Sequence, residues 1–127
     1  MIAGLWVAIG GGLGAVARFG VDTAANRRFH PALPVGTPIV NVAGSVLLGL
    51  LAGWTAGHGL PSVLAEGLGP GFLGGFTTFS TASVEAALQA REGHRVRAAA
   101  YAVGLAVACV LAAGLGWCLG SALPGQR

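Results

Sequence analysis

Charged residues in this chain bunch between long, largely apolar stretches. Met1–Ala17 carries no charge; Arg18 follows, and then a polar cluster runs from Asp22 to His30. A membrane-spanning helix needs about 20 predominantly apolar residues, so a first span is expected over residues 2–21. Pro31, Pro34 and Pro38 mark a short non-helical link, because proline restricts the residue before it and is tolerated in a helix only near its start. A second span is expected over residues 38–56. After a turn-like stretch from Gly57 to Pro61, Ser62 is placed to cap a third helix. That segment, residues 62–90, is interspersed with Gly67, Gly69, Pro70, Gly71, Gly74 and Gly75 and reads as a helix broken near residues 67–75. The charged cluster Arg91–Arg97 precedes a fourth span over residues 98–119. The pattern predicts an all-α membrane protein, residues 1–127 forming a single four-span domain.

Composition sharpens this picture. Hydrophobic residues make up 54% and charged residues 9%, against roughly 25% charged in a soluble domain. The formal net charge of +3 does not point to nucleic acid, since all seven basic residues are arginines beside apolar segments, where they orient helices in a bilayer. The links after spans one and three hold Arg18, Arg27, Arg28, Arg91, Arg95 and Arg97, and the opposite side holds Arg127. The positive-inside rule then places those links in the cytoplasm and both termini outside. Met1–Ala17 lacks the basic start of a cleavable signal, so the first segment is expected to be retained. Cys109 and Cys118 lie in one apolar stretch and are read as buried thiols.

Glycine accounts for 23 residues, more than twice the usual share of about 7%. Several are four apart: Gly10 and Gly14, Gly49 and Gly53, Gly71 and Gly75, Gly116 and Gly120. That spacing lets membrane helices approach closely. The run Gly10–Ala15 also matches a dinucleotide-binding glycine pattern, but the strand and acidic ribose ligand that pattern needs are missing, and helix packing is the better reading.

Three features carry candidate chemistry. Arg18 is an interfacial anchor able to draw anions toward a vestibule. Asn41 lies near the start of an apolar span, where an unsatisfied amide costs several kcal/mol by transfer estimates, so it needs a partner: either another helix or something polar that passes through. Ser45, one turn on, is assigned to helix contact. The run from Gly71 to Thr81 is the most informative. A helix interruption at membrane depth is tolerated where the backbone is buried in protein or lines a cavity; freed carbonyls there can hold a hard cation such as Na⁺, and a helix N-terminus favours an anion. Thr77, Thr78, Ser80 and Thr81 supply hydroxyls, some of which bond back to helix carbonyls. Phe76 and Phe79, three apart, are expected to share a face; core packing is the default for such a pair, and ring edges turned toward the hydroxyls are the alternative, which would line an anion path. Glu85 either pairs with an arginine or contributes to a pore mouth. His30, His58 and His94 fall in links with no nucleophile beside them, so no enzyme is expected.

The glycine-rich first span ending in Ala17-Arg18-Phe19, the pair Gly36-Thr37 followed by Val40-Asn41 and Gly44, and above all the run Gly71–Thr81 followed by Glu85 resemble the Fluc, or CrcB-type, fluoride channels. The resemblance covers nearly the whole chain. It implies a passive fluoride channel of the bacterial plasma membrane that lets cytoplasmic fluoride leave and so limits its toxicity. It further implies an antiparallel dimer with two pores and a structural, non-transported Na⁺ held by the carbonyls of Gly71 and Gly74. Asn41, Phe76, Phe79, Thr77, Thr78 and Tyr101 would line the pore, with Arg18 at a vestibule. Members that insert both ways, with dual topology, need balanced loop charges. The arginine bias here implies a fixed orientation and an oppositely oriented homologue as partner. A dimer of the chain with itself stays open, because Glu92 offsets one charge and Arg18 could lie inside the first span. The rival reading is a small dual-topology, proton-coupled exporter using Glu85.

Overall fold

A computed structural model describes residues 2–29 and 35–123. The expected link prolines Pro31 and Pro34, His30 and Arg127 lie outside the described residues. Helix α1 covers Ile2–Phe29 and α2 Gly36–His58. A run of short elements follows: α3 (Ser62–Glu66), a π-helical stretch Gly67–Leu73, α4 (Gly74–Phe76) and α5 (Phe79–Arg91). Helix α6, Arg95–Ala122, completes the chain. Among the described residues all regular structure is helical, and three helices are long and apolar enough to cross a membrane: Ala3–Phe29, Gly36–Gly57 and Arg95–Ala122.

The polar tail of α1 remains helical eight residues past the expected end at residue 21 because its side chains tie it to the start of α2. Asn26 Nδ2 donates to Asp22 Oδ1 (3.3 Å), and Asn26 Oδ1 accepts from the backbone N–H groups of Val35 and Gly36, each at 3.2 Å. These are orphan donors at the start of a helix, so Asn26 caps α2 from across the link. At α3, by contrast, Ser62 does not cap; the extended residue before the helix is Pro61, and no side chain bonds the first turn.

Two parallel helix pairs build the bundle. In the α2–α6 pair, a methyl group added at Gly49 would run into the carbonyl oxygen of Ala113, at Gly53 into that of Trp117, at Gly116 into that of Val46, and at Gly120 into that of Leu50. In the other pair, α1 lies along the glycine-rich run: Gly10 faces the Gly67 carbonyl, Gly14 that of Phe72, and Gly75 that of Gly11. Missing side chains let each backbone settle onto its neighbour, where Cα–H groups meet carbonyls. Of the dinucleotide-like run, Gly10, Gly11 and Gly14 thus serve packing, while Gly12 faces open space.

The run expected to break near residues 67–75 leaves α-helical geometry there and becomes extended just beyond it. Gly67–Leu73 keeps helical bonding at the wider π spacing, with Pro70 inside it. In an α-helix Pro70 would clash with the carbonyl four residues back, and a wider turn relieves that clash. The backbone becomes extended further on, at Thr77 (φ −81°, ψ 161°) and Thr78 (φ −150°, ψ 116°). The cysteines also differ from expectation: Cys109 is half-buried and Cys118 exposed, because α6 turns that side away from α2.

Candidate functional site

The site grows from the two extended threonines. Leaving helical geometry strips Thr78 of its helical partners, and a buried peptide group without a partner costs about 1–3 kcal/mol. Asn41, itself buried on α2, replaces both bonds: its Nδ2 donates to Thr78 O at 2.8 Å, and its Oδ1 accepts from Thr78 N–H at 2.7 Å. The amide thus acts as a surrogate peptide, and the required partner of Asn41 is main chain rather than another side chain. Thr77 Oγ1 bonds back to Leu73 O at 3.0 Å, and the methyl of Thr77 fills the space left by Gly44.

Thr78 also starts α5. Its Oγ1 accepts from the backbone N–H of Thr81 (3.2 Å) and donates to the Thr81 hydroxyl (3.0 Å), with Ser80 Oγ 3.2 Å away. The first-turn N–H groups of α5 ahead of Thr81 have no carbonyl within α5 to bond, so this 13-residue helix directs positive potential at the threonine cluster.

Thr78 lines two cavities. One, of 240 Å³, is lined by Arg18, Asp22, Thr37, Thr78 and Thr81 together with apolar neighbours. The other, a groove of 360 Å³, is lined by Asn41, Ser45, Thr77, Thr78, Phe79 and Ser83, and on its α6 wall by residues that include Cys109. Ser45, expected at a helix contact, is half-buried and borders this groove. Arg18 is half-buried within α1 and borders the smaller cavity.

Glu85 pairs with hydroxyls rather than with an arginine. Thr37 Oγ1 donates to its Oε1 at 2.7 Å, and the Tyr101 hydroxyl donates to its Oε2. Three helices, α2, α5 and α6, are tied at this carboxylate. With the Asn26 clamp, this puts Arg27, Arg28, Arg91, Arg95 and Arg97 at one end of the bundle, while Trp6, Trp54 and Trp117 lie toward the other.

Phe76 and Phe79 do not share a face. The extended residues between them break the helical register, leaving Phe76 8% and Phe79 89% exposed. Phe76 stacks instead on Phe72, with ring centroids 6.1 Å apart and planes 7° from parallel. Gly71 is buried against Val7 of α1. Gly74 is exposed, and its carbonyl lacks its α-helical donor because Thr78 N–H goes to Asn41. Sequence reasoning gave no separate role to Thr37, Asp22 or Asn26. Asn26, a lone amide at the end of an apolar helix, was the available signal.

A family model described as "CrcB-like protein, Camphor Resistance (CrcB)" matches residues 5–117. The chain belongs to the CrcB family. Among its relatives, the "Fluoride-specific ion channel FluC 2" of Cutibacterium acnes is 53% identical over 92% of this chain and 96% of its own length. The "Fluoride-specific ion channel FluC 1" of Leifsonia xyli is 47% identical over 91% of this chain and 85% of its own. The "Fluoride-specific ion channel FluC" of Novosphingobium aromaticivorans is 48% identical over 91% and 94%. These relatives are named as channels, not as enzymes. With its long apolar helices, this CrcB-family chain is a multi-pass protein of the bacterial plasma membrane.

Proposed function

We propose that the chain forms a fluoride-selective channel through which cytoplasmic fluoride leaves passively, limiting its toxicity. The observation that carries this reading is that Thr78, at the N-terminus of α5, lines both cavities. A small, strongly hydrated anion must exchange water for close donors. The first-turn N–H groups of α5, the hydroxyls of Ser45 and Thr81, and the edge of Phe79 would supply them, since the Thr77, Thr78 and Ser83 protons are already given to oxygens within the protein. The hydroxyls of Thr37 and Tyr101 satisfy Glu85, which weakens its repulsion of a passing anion. Close donors favour a small, strongly hydrated anion over a larger halide. The relatives' names support the choice of fluoride.

The finer parts of the reading follow from the family. Na⁺ would be held by the carbonyls of Gly71 and Gly74 and would supply a fixed positive charge that stiffens the run. The free Gly74 carbonyl suits that role, whereas Gly71 O already accepts the Gly74 N–H and would offer a second lone pair. The segment from Ser62 to Arg91 would cross the membrane as a broken span, and two chains would pair antiparallel. The arginine end would face the cytoplasm, and the partner would be an oppositely oriented homologue, or a second copy if insertion is mixed. A C-terminal reporter found equally on both sides of the membrane would exclude the fixed orientation.

The test is anion efflux from proteoliposomes. Fluoride should leave without a proton gradient while chloride is retained; chloride efflux at a comparable rate ends the proposal. Transport that stops when the proton gradient is collapsed at fixed voltage would favour the exporter using Glu85.

A further inference from the structure

Asp22 lines the 240 Å³ cavity beside Arg18, one helical turn away on the same face of α1, and no ion pair closes between them. Its carboxylate is held in place. Oδ1 accepts from Asn26 Nδ2 at 3.3 Å, and the group backs onto Gly36, where even a methyl would strike Oδ1. Asn26 in turn clamps the N–H groups of Val35 and Gly36, so Asp22 sits at the N-terminus of α2, whose partial positive charge also attracts anions. The cavity therefore carries one full positive charge, one helix end and one fixed negative charge set against both.

We propose that the Asp22 carboxylate is a rate- and affinity-setting residue of the anion path, a built-in negative charge that holds down anion occupancy at the Arg18 cavity. The inference rests on the channel reading above. A conducting site must bind weakly enough to release its ion, and a cavity with Arg18 alone would hold anions longer and admit larger ones. Asp22 contacts no permeating ion in this account; it acts through the field of the cavity and by placing Asn26.

Asp22→Asn separates these two roles, since asparagine retains an oxygen to accept from Asn26 Nδ2 while losing the charge. Fluoride efflux from proteoliposomes is measured at subsaturating fluoride at low ionic strength and again near 1 M inert salt. The variant's initial rate should rise by up to about fivefold at low salt, the effect of one unit charge at contact distance in water. The half-saturating fluoride concentration should fall in proportion. Both differences should shrink markedly at high salt, where the Debye length is about 3 Å. Asp22→Gln, also neutral, should behave the same way if the asparagine variant does not fold; Asp22→Glu should keep the wild-type rate and salt dependence. Neutral variants with wild-type efflux at low salt, or with a gain undiminished at high salt, overturn the proposal while leaving the channel reading intact. A wild-type protein that passes no fluoride overturns both.

Discussion

The α2–α6 contact and the contact of α1 with the glycine-rich run use the same device and end differently. In both, glycines four apart let a neighbour's carbonyl rest on the backbone. Yet α2 and α6 remain unbroken helices of 23 and 28 residues, while the other run widens to π geometry and then goes extended at Thr77 and Thr78. Glycine density does not decide where a helix gives way. What decides it is a substitute for the lost bonds, and only beside the second contact does a buried amide, Asn41, stand ready to accept and donate. The first contact is scaffold; the second contact, with Asn41, creates a site.

Breaking the difference between the two contacts should have its largest effect at Asn41. Asn41→Leu leaves both peptide groups of Thr78 unpaired at about 1–3 kcal/mol each. It should cut fluoride efflux by about a hundredfold, at about 1.4 kcal/mol per tenfold, and lower the thermal midpoint in detergent. Gly116→Val attacks the scaffold instead: overpacking by about 1–3 kcal/mol should lower the midpoint, while the fluoride-to-chloride ratio of the remaining folded protein stays unchanged. Thr78→Ala removes the α5 cap at about 1 kcal/mol and should slow efflux about tenfold, a rate effect larger than its stability cost implies. The smallest change is expected from Tyr101→Phe, which removes one of the two hydroxyls on Glu85. Losing one hydrogen bond of about 1 kcal/mol should slow efflux a fewfold in the same assay.

Much of this was legible in the chain. The charge spacing marked out helices close to α1, α2 and α6, and the glycine pairs Gly10/Gly14, Gly49/Gly53 and Gly116/Gly120 all fall at helix contacts. The need of Asn41 for a partner was also evident, but not its identity, because Thr78 is 37 residues away and offers main chain. Glycine shows where a helix can yield, not which residues become extended, so the run marks the π stretch but not Thr77 and Thr78, and spacing alone puts Phe79 on the face of Phe76. The meeting of Thr37, Glu85 and Tyr101 joins three helices and has no local signature.

The central claim is that Thr78 lies on the anion path. Its most direct test is Thr78→Cys in a Cys109→Ala, Cys118→Ala background, with fluoride efflux measured before and after a small water-soluble thiol reagent. The account predicts that labelling this position stops efflux. Complete labelling with efflux undiminished would contradict it.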